Sequence, residues 1–442
     1  MGHAIRLAPI AAAVALLASV KVGPARAVDP AGGAPAGAGR PPGAWPGPAP
    51  APPQPMPPRY LRTLAHDPGG YDPERGGGVT DLLLGDLLFH SPRTLGPAAQ
   101  RLGLSCAACH PNGAAHGRLA LPETLSDRPG NVDLSTGYFR AGADNHVRDF
   151  VNIPSLRGVR FTPPYGRDGR TASLRELMAD VVEGEFAGPP LSPGALRALV
   201  RYVEDLDFLP NRLLDARGRL ADGASPAARR GEALFVQPRP GLGGASCATC
   251  HPPSSFFRDG RVHRLGTGHP PSPHALDDGY ETPTLLGTLE SAPYFHDGRF
   301  ATLAEVVAWF DRAFGLELGA ARREDLTAYL EAVGASDRRA DDRPPAQVMI
   351  DSFVYLELLV DGEARDERAV WVAALELAGD ELARRAAAPV VAVAIAGARR
   401  RVAGLLGRLQ AGAPLAPLRA DVAALRRDLF RLAADWAGAL HD

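Results

Sequence analysis

Apolar residues near the end of the chain repeat with the period of an α-helix. Their spacing alternates between four and three residues, which places them on one helical face: Leu418, Val422, Leu425, Leu429, Leu432 and Trp436. Upstream, residues 348–360, 367–387 and 390–409 also show helical patterns. Residues 344–442 are therefore predicted to form a helical module, which serves either for packing or as the interface of a homodimer.

Two shorter amphipathic helices are predicted in the middle of the chain, within segments that resemble each other. Laid over one another without a gap, "PSLRGVRFTPPYGRDGRTASLRELMADVV" from Pro154 and "PTLLGTLESAPYFHDGRFATLAEVVAWFD" from Pro283 share Pro, Leu, Gly, Pro-Tyr, Asp-Gly-Arg, Leu and Glu in register. Such self-similarity indicates an internal duplication. It predicts two homologous domains, residues 60–222 and 223–340, and each contains a short helical pattern that ends in Leu-Phe, at residues 84–89 and 229–235.

The N-terminus has the pattern of a secretory signal peptide over residues 1–27. Two basic residues, His3 and Arg6, precede an apolar run that ends at Val20, and a small-x-small cleavage pattern follows. Residues 28–58 are rich in Pro, Gly and Ala and are predicted to be a solvated linker. No segment reaches the roughly 18 consecutive apolar residues of a membrane span. The sequence therefore predicts an exported, periplasmic protein without a membrane span.

Charge excludes one class of partner, whereas the cysteines indicate a chemistry. The formal net charge is -2 and the pI about 6.6, which argue against a nucleic-acid or anionic-membrane surface. The four cysteines of the chain all lie in two copies of Cys-x-x-Cys-His. The copies consist of Cys106, Cys109 and His110, and of Cys247, Cys250 and His251.

Three interpretations of this pattern can be compared. Zinc ribbons separate their two cysteine pairs by about 15–20 residues, whereas Cys109 and Cys247 are far more distant in sequence. A redox-active dithiol leaves both histidines unexplained. Covalent haem attachment explains every residue, because the two sulfurs bind the vinyl groups of one haem and the histidine ligates its iron. The sequence thus predicts two covalently bound haem c groups, with His110 and His251 as iron ligands.

Several further motifs resemble those of the bacterial diheme cytochrome c peroxidase family, which includes MauG-like enzymes. They are "LGDLLFHSPRT", "SCAACHPNG", "NIPSLRG" and "GRDGR", followed by "SCATCHP", "DGRVHRLGTG", "TPTLLGTLESAPYFHDGR" and "TLAEVV". The similarity runs from about residue 80 to residue 335. It implies an all-α fold, with two cytochrome c-like haem domains in tandem followed by the C-terminal helical module.

The resemblance also implies an oxidoreductase with a division of labour. The N-terminal haem reacts with hydrogen peroxide, and the C-terminal haem takes electrons from a small redox donor protein, a c-type cytochrome or a cupredoxin. MauG-like members instead use peroxide to oxidise a protein substrate. The family's interdomain Ca²⁺ would be bound by the side chain of Asn152 and by the carbonyls of Ser291 and Pro293, oxygen donors that suit a hard cation. The alternative for Asn152 is a turn residue.

The chain departs from the family at three positions. Arg167 stands where the family has a tryptophan between the haems, so the electron path is expected to differ. Phe310 stands where a methionine or tyrosine ligates the second iron, so that iron is expected to be five-coordinate or bound by another side chain. Leu177 lies near the position of the peroxidatic glutamine.

The remaining candidates are histidines and acids. His146 is the first candidate for the distal ligand of the first haem, and His116 is the second. For the second haem the first candidates are His263 and His296, followed by His269 and His274. The alternatives are ordinary surface histidines and, for His296, a hydrogen bond to a haem propionate. Glu183, Glu185 and His296 are the catalytic candidates. The two glutamates loosely match the family's acid, and a carboxylate near the iron can transfer a proton of peroxide. The alternative function is a non-catalytic diheme electron-transfer cytochrome with both irons six-coordinate.

Overall fold

The computed structural model describes residues 79–142, 144–265, 279–337, 352–360, 367–385 and 392–439. The predicted signal peptide and linker, together with His269 and His274, lie outside the described residues. The described part of the chain is all-α apart from two short antiparallel ladders.

The helices and strands follow one another in two similar series and a purely helical third. The helices are α1 (Val79–His90), α2 (Gly96–Arg101), α3 (Cys106–Cys109), α4 (Leu174–Ala179), α5 (Pro193–Glu204), α6 (Pro226–Val236), α7 (Cys247–Cys250), α8 (Leu303–Phe314), α9 (Gly319–Gly334), α10 (Glu357–Val360), α11 (Arg368–Arg385), α12 (Ala392–Gln410) and α13 (Leu415–Ala439). The strands are β1 (Asn131–Val132), paired with β2 (Val151–Asn152), and β3 (Val262–Arg264), paired with β4 (Gly279–Glu281).

Serine–proline pairs determine where α5 and α6 begin. Ser192 Oγ accepts a hydrogen bond from the amide of Ala195 at 3.2 Å, and Ser225 Oγ accepts one from the amide of Ala228 at 3.1 Å. Each serine is followed by a proline, whose missing N–H costs nothing in the first turn of a helix. The sequence therefore defines the start of each of these helices locally.

A glycine permits close helix packing in both halves of the haem-motif region. α1 packs against α5, and a Cβ at Gly85 would lie 2.2 Å from the carbonyl oxygen of Ala198. α6 packs against α9, and a Cβ at Gly231 would lie 2.0 Å from the carbonyl oxygen of Asp325. The two glycines belong to the helical patterns that precede the two haem motifs, so the same crossing is built twice.

The duplicated sequence adopts a duplicated structure. Each copy has a left-handed glycine, a 3₁₀ turn, an isolated β-bridge and a helix start in the same order. The equivalents are Gly158 and Gly287, the turns Val159–Phe161 and Thr288–Glu290, the bridges Tyr165–Thr171 and Tyr294–Phe300, and the helix starts Leu174 and Leu303. The internal duplication predicted from the sequence is therefore visible in the backbone.

The copies differ after their helices begin. α8 runs without a break to Phe314, whereas α4 ends at Ala179 and continues as a π-helix, Asp180–Glu185. The sequence pattern predicted a regular helix in both places. Gly184 lowers helix propensity in the first copy, where the second has Ala313. The π-helix carries both acids that were predicted as catalytic candidates.

Two separate cores underlie the two halves. The first is built from side chains such as Phe89, Leu199 and Tyr202, and the second from Phe235, Phe257 and Tyr329. A cysteine of each haem motif is partly buried against its own core. The predicted boundary between residues 222 and 223 lies inside the second cluster's sequence range and stays a prediction.

The C-terminal helices form a third core that also includes part of α1. Trp371 is fully buried there, and Leu83 and Leu87 of α1 belong to the same cluster. The predicted apolar stripe from Leu418 to Leu432 is buried in this core, which favours packing over dimerisation through that face. The side chain of Trp436 lies outside the described residues. Among the described helices, none combines the length and apolar character needed to cross a bilayer.

Candidate functional site

The first Cys-x-x-Cys-His motif folds as one helical turn. α3 spans the two cysteines, and the amide of His110 donates to the carbonyl of Cys106 at 2.7 Å. Ser105 caps the turn by accepting from the amide of Ala108 at 3.2 Å. The thiols are not in a disulfide, and burial raises the pKa of Cys106 and of Cys109 to about 12. Two neutral thiols and the imidazole are therefore presented from consecutive positions of one turn.

The ring of His110 is oriented by a backbone carbonyl of the repeat. His110 Nδ1 lies 2.9 Å from the carbonyl oxygen of Pro154, the first residue of the first copy. A ring nitrogen that donates to a carbonyl carries the proton, so Nε2 keeps its lone pair and can ligate a metal. Burial lowers the pKa of His110 to about 4, and the charge of Arg167 acts in the same direction. The imidazole is therefore neutral at physiological pH.

The second motif repeats this arrangement. α7 spans Cys247 and Cys250, and Ser246 and Thr249 form a capping box at its start. The amide of His251 donates to the carbonyl of Cys247 at 2.9 Å. His251 Nδ1 lies 2.8 Å from the carbonyl oxygen of Phe257, and burial lowers the pKa of this ring. Both histidines thus present Nε2 as the available nitrogen.

These residues fit a haem c group at each motif. The fit rests on paired thiols next to an oriented, neutral imidazole, and on a buried cation in the second half. Arg239 is 8% exposed, and its Nη2 is buried with no partner among the described residues. It is close enough to Cys247 that its charge opposes the burial that raises the pKa of that thiol to about 11. A haem propionate would supply the missing anion.

The two copies of the repeat face each other through reciprocal hydrogen bonds. The amide of Asn152 donates to the carbonyl of His296 at 2.7 Å, and the amide of Glu281 donates to the carbonyl of Arg167 at 2.8 Å. Asn152 and Glu281 stand at equivalent positions of the two copies, and so do Arg167 and His296. The same contact is therefore made twice with the roles exchanged, as in a two-fold symmetric interface.

Arg167 reaches across this interface with its side chain as well. Its Nη1 donates to the carbonyl of His296 at 3.0 Å. Burial lowers the pKa of Arg167 to about 10, opposed by the charges of Glu185, Tyr280 and Asp297, so the guanidinium stays protonated at neutral pH. Arg167 thus places a cation between the two copies of the repeat.

The two predicted acids lie in different environments on the π-helix. Glu183 is exposed, whereas the side chain of Glu185 is 29% exposed and bound by Arg170 at 3.0 Å. Burial raises the pKa of Glu185, and Arg170 opposes that rise. A carboxyl group with a raised pKa keeps its proton to a higher pH than a solvated carboxyl group does, which suits it to proton transfer. The geometry therefore favours Glu185 as the proton-transfer group.

Among the described residues, no contact directs His146 or His116, the histidines proposed as distal ligands of the first haem, toward the first motif's iron site. The side chain of His146 is 87% exposed and 3.5 Å from the carboxylate of Asp144. His116 Nδ1 lies 2.8 Å from the carbonyl of Ala108, inside the first motif itself. The ligand roles of both residues stay predictions, and the exposure of His146 makes a surface histidine the simpler interpretation.

The two candidates for the second haem lie close to its motif or to the interface. His263 Nε2 lies 2.7 Å from Asp259 Oδ2, which together with Cys250 raises the pKa of this histidine to about 10. One ligand atom each from Cys250, Asp259 and His263 lies within a 4.8 Å cluster. His296 stacks on Tyr280 with ring centroids 4.6 Å apart. His263 is thus hydrogen-bonded to Asp259 beside Cys250, whereas His296 lies at the contact between the repeats.

Two of the three predicted calcium donors converge. Asn152 Nδ2 is 2.5 Å from the carbonyl oxygen of Pro293, and Asn152 Oδ1 is buried without a partner in the described part of the chain. Ser291 lies two residues before Pro293, and its hydroxyl donates to the carbonyl of Gly287 at 3.2 Å. The unsatisfied amide oxygen beside a carbonyl is compatible with a hard cation.

Phe310 belongs to an aromatic cluster rather than to a polar site. Its ring stacks on Phe314 with centroids 5.7 Å apart and lies 5.0 Å from the ring of Trp309 and 6.1 Å from that of Phe295. Phe310 and Cys247 are partly buried against the same core. The position at which the resemblance implies an iron ligand therefore lies among aromatic side chains in this chain.

Sequence reasoning missed Arg258. This side chain is 5% exposed, donates to the carbonyl of Pro163 at 2.6 Å and binds Glu281 at 2.6 Å. It connects the segment that follows the second motif to the first repeat, while burial raises the pKa of Glu281 to about 7 against the effect of Arg258. The sequence did contain a feature that points to Arg258, because Arg258-Asp259-Gly260 repeats the sequence Arg167-Asp168-Gly169.

Several known proteins are similar to this chain in sequence. Residues 226–333 match the family described as di-haem cytochrome c peroxidase. Hydrazine synthase subunit gamma of Kuenenia stuttgartiensis is 27% identical over 220 residues, covering 39% of this chain and 60% of that protein. Cytochrome-c peroxidase IdrP2 of Denitromonas iodatirespirans is 26% identical over 333 residues, covering 59% and 83%. Methylamine utilization protein MauG of Methylorubrum extorquens is 31% identical over 128 residues, covering 24% and 35%.

The extent of these similarities differs between relatives. The chain covers less than two thirds of the hydrazine synthase subunit and of MauG, but 83% of the cytochrome-c peroxidase. The matched family segment contains the second Cys-x-x-Cys-His motif and the second copy of the repeat. The chain is therefore similar to the diheme cytochrome c peroxidases and MauG, which are oxidoreductases, and residues 226–333 match the family itself.

Proposed function

We propose that this chain carries two covalently attached haem c groups and reduces hydrogen peroxide with electrons from a small redox donor protein. The net reaction consumes two electrons and two protons per peroxide and releases two waters. The donor is a c-type cytochrome or a cupredoxin, and a protein substrate can replace it as the source of electrons, as in the MauG branch of the family. Peroxide meets the site of His110, and electrons enter at the site of His251.

The observation that supports this proposal most strongly is the matched orientation of the two imidazoles. His110 and His251 each donate from Nδ1 to a backbone carbonyl, at 2.9 Å and 2.8 Å. Each ring follows two thiols on one helical turn. Bound haem supplies the iron that exchanges electrons with peroxide and with the donor. The chain itself supplies the sulfurs, the axial nitrogens and their fixed orientation.

Proton transfer is assigned to the π-helix. The carboxylate of Glu185 takes up a proton and passes it toward peroxide, while Arg170, whose Nη2 lies 3.0 Å from Glu185 Oε1, fixes the orientation of the group. The hydrophobic Leu177 cannot assist, because it offers no hydrogen-bonding group at the position of the family's glutamine. The activity is therefore expected to depend on Glu185 more than in relatives that have both groups.

A Ca²⁺ ion between the repeats is part of the proposal. Asn152 Oδ1 and the carbonyls of Pro293 and Ser291 would hold it, at the interface where the amide of Asn152 already binds His296. Export to the periplasm completes the proposal, since covalent attachment explains why an exported chain keeps its four cysteines out of disulfides.

The test begins with the number of haems and their attachment. The holoprotein should retain two haems per chain after denaturation, and the variant Cys106→Ala or Cys247→Ala should impair one site each. Loss of all haem on acid-acetone extraction contradicts covalent attachment. Metal analysis decides the calcium claim, because full activity without bound calcium removes it.

Peroxide turnover then distinguishes the two sites. His110→Gly is expected to abolish turnover, whereas His146→Ala should leave it unchanged or raise it. Turnover that survives His110→Gly reverses the proposed division of labour. Two low-spin irons and no peroxide turnover in the unaltered holoprotein would instead indicate an electron-transfer cytochrome.

A further inference from the structure

Arg167 is a half-buried cation at the contact between the two repeats. Its side chain donates to the carbonyl of His296 at 3.0 Å, and its own carbonyl accepts from the amide of Glu281 at 2.8 Å. Backbone and side chain are therefore both fixed by the second copy of the repeat. A long, flexible side chain held in this way keeps its charge at one place.

Arg167 lies near the first haem motif. The carbonyl of His296 that accepts from Arg167 Nη1 also accepts from the amide of Asn152 at 2.7 Å. Asn152 stands two residues before Pro154, whose carbonyl accepts from His110 Nδ1 at 2.9 Å. The surrounding acids compensate only in part, because Asp297 also binds Arg299 and Glu185 also binds Arg170. Arg167 is thus a positive charge near the predicted axial ligand, on a half-buried side chain that solvent screens less than it would screen a fully exposed one.

We propose that Arg167 is a positioning residue that sets the electron affinity of the His110 site by its fixed positive charge. A nearby cation disfavours the oxidised iron, which carries one more positive charge than the reduced iron, and so favours entry of one electron from the donor. The inference rests on the proposed haem at His110. On this basis the chain uses a positive charge at the contact between the repeats, where an aromatic side chain would carry none.

The experiment measures the ratio of reduced to oxidised iron at a fixed applied potential, by spectroelectrochemical titration of the full-length holoprotein. A unit charge at ~10 Å and an effective dielectric constant of about 20 changes such a ratio by on the order of tenfold. Arg167→Gln should lower the ratio at the His110 haem about tenfold, whereas Arg167→Lys, which keeps the charge, should stay within about twofold. The His110 transition is the one that disappears in the Cys106→Ala, Cys109→Ala double variant.

Two further variants control for charge and for folding. Arg197→Gln removes an equal charge from an exposed ion pair with Asp81 and should leave the ratio unchanged. Asp297→Asn removes a negative charge that faces Arg167 and should shift the ratio in the opposite direction, so the inference stays testable if Arg167→Gln does not fold.

The results that overturn the inference are specific. If Arg167→Gln leaves the ratio unaltered in a protein that retains both haems, the charge of Arg167 does not affect the electron affinity of the His110 haem. If Arg167→Lys shifts the ratio as far as Arg167→Gln, the hydrogen bond to His296 matters and the charge does not. Absence of covalent haem in the unaltered protein, by contrast, contradicts the proposed function itself.

Discussion

The guanidinium of Arg170 binds the carboxylate of Glu185 at 3.0 Å, and the same group binds Asp180 at 3.2 Å. Arg170 therefore joins the start of the π-helix to its end. Because this helix is wider than the equivalent part of α8, the ion pairs hold Glu185 in a position that a regular α-helix would not give it.

Glu185→Gln should lower peroxide turnover by roughly 10²–10⁴-fold, the range typical of a lost general acid–base group. The amide keeps the size of the side chain but cannot release a proton. Steady-state peroxidase assays on the holoprotein measure the effect. Glu123→Gln, which changes an exposed acid in the same half of the chain, is the matched control. A Glu185→Gln enzyme as active as the control would contradict the assignment.

Phe310→Met should convert the second iron toward a low-spin, higher-potential state, because a thioether sulfur would become available where the aromatic ring offers none. Electron paramagnetic resonance and optical spectra report the change. Phe314→Met introduces the same side chain one turn further along α8 and should leave the spin state as it is. A low-spin second iron before substitution, unaltered by Phe310→Met, would show that another residue already ligates it.

His90 should make the stability of the chain depend on pH. Burial opposes protonation of this histidine, yet Asp86, 3.2 Å away, outweighs burial and raises the pKa of His90. The folded-state pKa is therefore above the unfolded value, so the stabilisation is fully present below about pH 6.5 and is lost as pH rises through the folded pKa.

Urea unfolding of the full chain and of His90→Gln at several pH values between about 6 and 9 tests this dependence. The stability difference between the two proteins should be largest at the acidic end and should shrink as pH rises. A difference that is constant or grows with pH would show that the His90–Asp86 pair is not the cause.

Leu87→Ala should destabilise the chain by about 2–5 kcal/mol and loosen the C-terminal helices. Leu87 is 1% exposed, and it lies in the core formed by these helices although it belongs to α1. Removing a buried leucine side chain typically costs this much. Urea unfolding and limited proteolysis provide the measurements. Val393→Ala, at an 86% exposed position of α12, should change neither. Equal behaviour of the two variants would show that α1 does not anchor the helical module.

The sequence by itself determined the features that depend on local chemistry and on spacing. The motifs containing Cys106 and Cys247 each fold as one helical turn with a histidine at its end, because the capping serine and the short i, i+3 spacing act within a few residues. The duplication was equally visible, since identical residues in register adopt the same backbone. The apolar stripe from Leu418 to Leu432 predicted its helix for the same reason, namely the period of the pattern.

Only the tertiary structure decided what these elements face. The reciprocal bonds of Asn152 to His296 and of Glu281 to Arg167 join residues more than a hundred positions apart, and no local preference encodes such pairs. The environment of Glu185 likewise depends on a π-helix that the helical period did not predict. Burial and charge at a site are sums over neighbours from distant parts of the chain. For that reason the sequence could name Arg167 and Glu185, whereas the fold alone placed one at the contact between the repeats and the other in an ion pair with Arg170.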